Sequence, residues 1–249
     1  MTRWKLTIEY DGAAFCGWQR QLGDPSVQQT LEEAIQKFCD EEVRLFVAGR
    51  TDTGVHARAQ VAHVDIEKET TGDTIRDAVN FYLHDNKIAI INATAVDNTF
   101  HARFSAIQRM YRYDIINRRA PLTFQASTTG HIIKALDTDT MQKAANLLLG
   151  THDFSTFRAS NCQAKSPIKT LDMLTIERDG EKITIWISAR SFLYHQVRNI
   201  VGSLCLVGTG HWSLDTFRDA FAACDRKRGG PTAPAQGLCF WEVSYPQKS

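Results

Sequence analysis

The sequence predicts an α+β protein built from two tandem ferredoxin-like halves, each with the element order β-α-β-β-α-β. Three observations support this fold class: the same order of apolar patterns occurs twice, 249 residues suffice for two such halves, and no Pro- or Ser-rich linker divides them. We expect the halves to be residues 1–104 and 105–249 and to share a mixed or antiparallel central sheet. Helices would cover one face of that sheet and leave the other face free for a ligand.

The elements of the first half follow from the spacing of apolar residues. Trp4, Leu6, Ile8 and Tyr10 alternate with polar residues, which predicts a strand with one buried face. Ser26, followed by Gln29 three residues later, is typical of a capping box at the start of a helix. The remaining elements expected here are strands at 43–48, 60–66 and 88–95, and a helix capped by Asp73.

The second half repeats the pattern. It predicts a strand at 109–116, then a helix that Asp137 starts and Gly150 stops. Asp179-Gly180 indicates the turn of a hairpin between strands at 171–177 and 183–188. A helix with the apolar residues of 193–204 on one face, a helix capped by Ser213 and a strand at 238–245 complete the half.

Composition narrows the class of protein. The 43% apolar and 23% charged residues are ordinary for a globular domain and exclude disorder over most of the chain. No apolar run is long enough for a membrane span, and the N-terminus has no secretory signal pattern, so we expect a cytoplasmic protein. The six cysteines lie at least fifteen residues apart and the histidines are not paired, so neither a metal site nor disulfides are expected.

Basic residues are unevenly distributed although the net charge is only +1. The segment 101–119 contains five arginines and one acid, Asp114, and Arg226-Lys227-Arg228 forms a second basic cluster. Each cluster is compatible with an ordinary solvated surface or with contacts to nucleic acid, because binding needs a local rather than a total positive charge.

One loop carries the residues most suited to chemistry. Gly49-Arg50-Thr51-Asp52-Thr53-Gly54-Val55-His56 lies between two expected strands, with a glycine on each side of the acid. Glycine lets the backbone turn sharply and lets a ligand approach, and Arg50 would favour the ionised form of Asp52. Asp52 then suits a nucleophile or general base; the competing interpretation is a turn in which Asp52 binds backbone N–H groups.

Three other function classes fit less well. Asp52-Thr53-Gly54 is the tripeptide of aspartic proteases, but the sequence holds one copy and that chemistry needs two carboxylates that share a proton. Neither a P-loop nor a GxGxxG pattern occurs. The aromatic-rich motif of RNA-recognition modules is also missing, which disfavours a passive single-strand binder of that kind.

The motifs together resemble those of the TruA-type pseudouridine synthase family. They are ordered and span nearly the whole chain, and they comprise Tyr10-Asp11-Gly12, Phe15-Cys16-Gly17-Trp18-Gln19, Ser26-Val27-Gln28, Gly49-Arg50-Thr51-Asp52, Gly54-Val55-His56, Phe100-His101-Ala102-Arg103-Phe104-Ser105-Ala106 with Arg109, Tyr111 and Tyr113, Gly150-Thr151-His152-Asp153-Phe154, Phe157-Arg158, Phe192-Leu193-Tyr194-His195-Gln196-Val197-Arg198-Asn199, and Ala233-Pro234-Ala235-Gln236-Gly237-Leu238.

This resemblance implies a pseudouridine synthase fold and an isomerase that converts uridines at positions 38, 39 and 40 of the tRNA anticodon stem-loop to pseudouridine. The N1–C1′ bond breaks, the uracil turns, and C5 joins C1′, so the reaction needs no cofactor and no metal. It also implies a homodimer across which a tRNA lies. A protein that kept the fold and binds tRNA without catalysis, such as a chaperone, is the alternative.

The resemblance also assigns roles to residues. Asp52 becomes the catalytic carboxylate, acting on C1′ as a nucleophile or on a ribose proton as a base. Arg50 would hold the extruded nucleotide or fill its space, and Tyr111 would stack on the base. Arg198 would pair with Asp52, and Leu238 would line the uracil pocket. The clusters would contact RNA phosphates, through Arg103, Arg109, Arg226, Lys227 and Arg228.

Overall fold

The structure, a computed structural model, describes residues 1–21 and 23–246. The chain separates into two compact units, of which the first comprises Met1–Ile107 with Cys239–Ser249 and the second comprises Gln108–Leu238. The first unit therefore combines residues from both ends of the chain.

The first unit contains a sheet and two helices. Its elements are β1 (Thr2–Tyr10), α1 (Val27–Cys39), β2 (Phe46–Val47), β3 (His56–Ile66), α2 (Gly72–Leu83) and β4 (Ile88–Val96). β1 lies between β4 and β3 and is antiparallel to both, and β2 pairs with the far part of β3.

The helices cover one face of this sheet. Trp4 and Leu6 of β1 are buried on that face, and a Cβ added to Gly72 at the start of α2 would lie 3.6 Å from the Trp4 ring. Val27 and Leu31 of α1 and Val79 of α2 are completely buried. The alternation read in β1 and the apolar faces read in the helices are therefore the ones that form the core.

Two predictions in this unit are wrong in detail. The strand expected at 43–48 is observed only at Phe46–Val47, as β2. The Leu45 N–H donates to the Glu32 carboxylate of α1 at 3.0 Å and so does not pair with a neighbouring strand. The second helix is capped by Thr71 and not by Asp73, since the Thr71 hydroxyl accepts the Thr74 N–H. Asp73 instead lies in the first turn, where the helix dipole favours a carboxylate.

The second unit contains a four-stranded antiparallel sheet and three helices. Its elements are β5 (Gln108–Asn117), β6 (Gly130–Ile132), α3 (Thr138–Asn146), β7 (Gly150–Asp153), β8 (Ile168–Asp179), β9 (Lys182–Ala189), α4 (Gln196–Gly208) and α5 (Leu214–Ala222). The order β5-β9-β8-β7 is antiparallel throughout, and β6 adds a short parallel pairing to β5.

Most local signals of this half are confirmed. Asp137 and Ser213 cap α3 and α5, and the Asp179-Gly180 turn joins β8 to β9, with Gly180 in the left-handed region. The short strands β6 and β7 were missed, because three or four residues carry too little periodicity to be recognised.

The last strand, β10 (Leu238–Ser244), pairs in parallel with β3 through Cys239–His56 and Phe240–Ala57. It turns the sheet of the first unit into a mixed one, and its residues from Cys239 onward belong to that unit. These sheets and helices confirm the predicted α+β class. In the described parts of the chain no helix has the length and apolar character of a membrane span.

Candidate functional site

The loop at 49–56, which carries Asp52, is fixed by the chain segment that follows β1. Trp18 N donates to Thr51 O at 3.0 Å, and Gly54 N donates to Phe15 O at 3.4 Å. Inside the loop, Val55 N donates to Asp52 O at 3.1 Å and closes a turn. The backbone on both sides of the carboxylate is therefore held by hydrogen bonds, as a preorganised catalytic loop requires.

Two glycines of the segment at 11–18 allow this close packing. A Cβ on Gly12 would lie 2.0 Å from the Val55 carbonyl oxygen, and a Cβ on Gly17 would lie 2.8 Å from the Thr51 carbonyl oxygen. Gly17 also has φ +100°, which residues with a Cβ rarely adopt. The residues of the motif at 10–19 therefore hold the loop in position by close packing.

A buried hydrogen bond ties the loop to the sheet. The hydroxyls of Tyr10 and Thr51 lie 2.8 Å apart, and Gln60 Nε2 donates to Gly49 O at 2.8 Å. Burial raises the pKa of Tyr10, so its phenol stays protonated and available as a neutral partner. Sequence reasoning did not single out Tyr10, Thr51 or Gln60 for this role; the only signal was that the first two fall within the quoted motifs.

The side chains of the loop differ in exposure. Thr51 and Val55 are buried, Asp52 is half-buried and Arg50 is exposed. At the end of the loop His56 Nδ1 lies 3.1 Å from Gly12 N and 3.0 Å from the Asp11 carboxylate. The structure thus places Arg50 and Asp52 in one loop, with the carboxylate near the surface of a rigid support.

The second unit holds Tyr111, Arg198 and Leu238, the other residues predicted at the uridine site. Tyr111 lies in β5, is buried, and meets the Phe192 ring edge to face at 5.2 Å. Arg198 lies in α4, where Nε donates to Ala233 O at 2.8 Å and the Arg198 carbonyl accepts the Ala233 N–H at 3.0 Å. Arg198 therefore also anchors the segment that leads to Leu238.

Tyr113 holds the same segment farther along. Its hydroxyl donates to Pro234 O at 2.9 Å, and a Cβ on Gly237 would lie 2.5 Å from its ring. Burial raises the pKa of Tyr113 and keeps this donor protonated. Leu238 itself is buried directly after this anchored segment.

Comparisons with known proteins bear on the activity of these residues. The family model described as tRNA pseudouridine synthase matches residues 6–105 and 144–246. The chain belongs to the tRNA pseudouridine synthase family. The family resemblance, the fold class and the isomerase activity inferred from the sequence are thereby confirmed.

Full-length relatives agree with this membership. The chain is 54% identical to tRNA pseudouridine synthase A of Rhodospirillum centenum, over 98% of this chain and 100% of the relative. It is 54% identical to the protein of that name from Paramagnetospirillum magneticum, over 98% of this chain and 96% of the relative. For the one from Maricaulis maris the identity is 51%, over 99% of each chain.

For a tRNA pseudouridine synthase, the exposure of the basic residues decides which of them are available to RNA. In the cluster at 101–119, Arg103 and Arg119 are exposed. Arg109 is buried and donates to Arg190 O at 2.6 Å, and Arg112 forms a 2.8 Å ion pair with Asp114. The arginine-rich segment that the sequence indicates is therefore divided in the structure between surface and internal roles.

The second cluster is divided in the same way. Arg226 is half-buried and donates to Gly230 O at 3.0 Å, to Asn199 Oδ1 at 3.1 Å and to Thr232 Oγ1 at 3.3 Å. Lys227 and Arg228 are exposed. Arg226 thus supports the loop that displays its two neighbours, a distinction that adjacency in the sequence does not reveal.

Proposed function

We propose that this tRNA pseudouridine synthase converts uridines at positions 38, 39 and 40 of the anticodon stem-loop to pseudouridine, with Asp52 as the catalytic carboxylate. The observation that carries the proposal is the loop at 49–56. It presents a half-buried acid on a backbone fixed by hydrogen bonds and close glycine contacts. Cleavage of a glycosidic bond puts positive charge on C1′, which a fixed carboxylate stabilises or captures.

The reaction balances without a co-reactant. The bond between N1 and C1′ breaks, the detached uracil turns, and C5 forms the new bond to C1′. The proton on C5 is released and N1 ends with a proton, so product and substrate are isomers. Asp52 serves either as the nucleophile on C1′ or as the base that removes a ribose proton.

The other site residues have supporting roles in this proposal. A uridine in a stem must first leave the base stack, at a cost of a few kcal/mol. Arg50, exposed two residues before Asp52, would hold the extruded nucleotide or fill the space it leaves. Tyr111 would stack on the uracil, Leu238 would line its pocket, and Arg198 would pair with the carboxylate.

Binding of the rest of the tRNA is assigned to the basic residues. Arg103, Lys227 and Arg228 are exposed and suit phosphate contacts, which position RNA without reading its sequence. Arg109 and Arg226, expected in the same role, would act through the backbone they hold. A cytoplasmic homodimer with one tRNA lying across both subunits completes the proposal.

The test replaces Asp52 by asparagine, which keeps the size of the side chain and removes its charge. We expect Asp52→Asn to bind anticodon stem-loop RNA within about twofold of the unchanged protein and to release no tritium from C5-labelled uridine. Asp85→Asn, at an exposed aspartate of the same unit, is the control and should retain full turnover. Turnover by Asp52→Asn, or pseudouridine at sites other than 38–40 in mapped tRNA, would contradict the proposal.

A further inference from the structure

A surface in the first unit, away from the catalytic loop, combines aromatic rings with basic side chains. We call it the aromatic surface and define it by Phe46, His63, Phe100, His101 and Phe104. Phe46 stacks on His63 at 5.0 Å, His63 meets His101 at 4.7 Å, and His101 meets Phe104 at 4.4 Å. The rings thus form one continuous array.

The array lies on the face of the sheet opposite the helices. His63 is directly across from Lys5 in β1 and from Phe46 in β2, and cross-strand partners share a face. The neighbours Leu6 and Ala62 point to the other, helix-covered face. The aromatic surface is therefore on the side that the sequence predicts to be free for a ligand.

Its distance from the catalytic loop follows from the length of β3. His56 ends the loop, and His63 lies seven residues farther along the strand. At about 3.3 Å per residue this separates them by roughly 23 Å. A ligand on the aromatic surface is therefore separate from a nucleotide held at Asp52.

The backbone under the array is fixed. His63 Nδ1 accepts the Ala102 N–H at 3.1 Å, and His101 Nδ1 accepts those of Arg103 at 3.1 Å and Phe104 at 3.4 Å. The Tyr245 hydroxyl donates to Ala102 O at 2.8 Å. Phe104 therefore lies in a turn whose backbone is held by these hydrogen bonds.

The display exposes apolar area to water. Phe104 is 71% exposed and Phe46 is 41% exposed, and Ile107 nearby in the chain is exposed as well. Exposed apolar side chains that are grouped on one surface mark a binding site more often than scattered ones do. A rigid, exposed ring loses little conformational entropy when a flat partner stacks on it.

Basic side chains lie over the aromatic rings. The Arg44 guanidinium is 5.5 Å from the Phe46 ring, the Arg103 guanidinium is 5.7 Å from the Phe104 ring, and Lys5 Nζ is 5.5 Å from the Tyr245 ring, which itself meets Phe100. Rings that stack on bases, interleaved with cations that contact phosphates, are the features of surfaces that bind unpaired nucleic acid. A protein partner would need no such alternation of rings and cations.

We propose that the aromatic surface binds an unpaired stretch of the RNA substrate, with a base stacked on Phe104 and with phosphates held by Arg44 and Arg103. This inference rests on the proposed function for its ligand, a tRNA, and adds a second contact away from the loop that would hold the reacting uridine. The contact tightens RNA binding and leaves the chemical step at Asp52 unchanged.

The test compares two phenylalanines of equal exposure. Phe104→Ala is expected to weaken binding of unmodified full-length tRNA about tenfold, the size of effect typical for the loss of one stacked base. Phe81→Ala is the control, since Phe81 is 73% exposed in the same unit but lies in α2, outside the array. It should bind as the unchanged protein does, and Phe104→Tyr, which keeps a stacking ring, should stay within about twofold.

Two further measurements identify the ligand. Arg44→Gln should reduce the slope of log affinity against log salt by about one, as expected for one lost phosphate contact. Single-turnover rates at saturating enzyme should be equal for Phe104→Ala and the unchanged protein. Unchanged tRNA affinity of Phe104→Ala, or a shift in its sedimentation to a smaller species, would overturn the proposal, the latter because the surface would then join two copies of the chain.

Failure of this inference is distinguishable from failure of the proposed function. Loss of tRNA affinity in Phe104→Ala, together with full turnover by Asp52→Asn, would support the surface and reject the catalytic role of Asp52. Full pseudouridine formation with unchanged tRNA affinity in Phe104→Ala would reject the surface alone.

Discussion

At the scale of single residues, burial keeps the His63 ring neutral, and the neutral ring accepts a backbone hydrogen bond. Burial, with smaller contributions from the charges of His101 and Arg3, lowers the pKa of His63 to about 4. The ring is therefore neutral at pH 7, which leaves Nδ1 as an acceptor for the Ala102 N–H. Asp65, bound to Arg3 at 2.7 Å, acts in the opposite sense on the pKa but does not offset burial.

This lowered pKa predicts a stability that falls with acidity. The unfolded chain takes up a proton near pH 6.5, whereas the folded His63 does so only near pH 4, so acid favours unfolding between these values. The contribution is complete above pH 6.5, and we expect about 2 kcal/mol of it to be lost by pH 5. Denaturant unfolding, followed by tryptophan fluorescence at pH 7 and pH 5, measures this loss.

The variant that tests this is His63→Asn. His63→Asn lowers stability at pH 7 but removes the titrating group, so its pH dependence should be flatter by about 2 kcal/mol. A pH dependence identical to that of the unchanged protein would show that His63 does not titrate as described.

At the scale of elements, the Asp52 loop depends on the segment at 11–18, in which the short 3₁₀ turn Gly12–Ala14 is the regular structure. The strands and helices around it supply only its ends. Gly12 and Gly17 have no side chain, so the loop backbone can pack directly against them. These contacts set the position of the loop.

This dependence predicts different effects for two glycines with nearly the same φ. Gly17 has φ +100° and would place a Cβ 2.8 Å from Thr51 O, whereas Gly23 has φ +98° with nothing within 4 Å. Gly23→Ala should cost only the backbone strain, about 1–2 kcal/mol, and keep its single-turnover rate. Gly17→Ala should in addition displace the loop and slow turnover about a hundredfold, since small misplacements of a reacting group have effects of this size. Equal turnover of the two variants would contradict the supporting role of Gly17.

The same elements show what the sequence can predict. Apolar periodicity identified the long strands and helices, and the caps at Ser26, Asp137 and Ser213 are confirmed because each is a contact between neighbours in the chain. The strand at 43–48 failed because Glu32, distant in the sequence, binds its backbone. For the candidate site, the Asp52 loop was recognised from local residues, but the internal roles of Arg109 and Arg226 depend on partners that only folding supplies.

At the scale of the whole molecule, the electrostatics differ from what the total charge suggests. The net charge of +1 indicates no preference for a polyanion, and several arginines are bound internally or to acids. In the proposed function, affinity for RNA would come from basic residues displayed at the surface, such as Arg44, Arg103 and Arg228. Binding through phosphate contacts of such residues is expected to weaken as salt rises, and the slope grows with the number of contacts.

This distribution predicts a salt response that separates exposed from internal arginines. The affinity for tRNA should fall linearly on a log–log scale as salt rises, with a slope set by the number of phosphates contacted. Arg228→Gln should reduce that slope by about one and leave the thermal unfolding midpoint unchanged, because the side chain is exposed. Arg226→Gln should instead lower the unfolding midpoint, because its guanidinium holds Gly230, Asn199 and Thr232. Affinities measured between 50 and about 300 mM salt would decide this, and a flat response in the unchanged protein would exclude phosphate contacts as the source of binding.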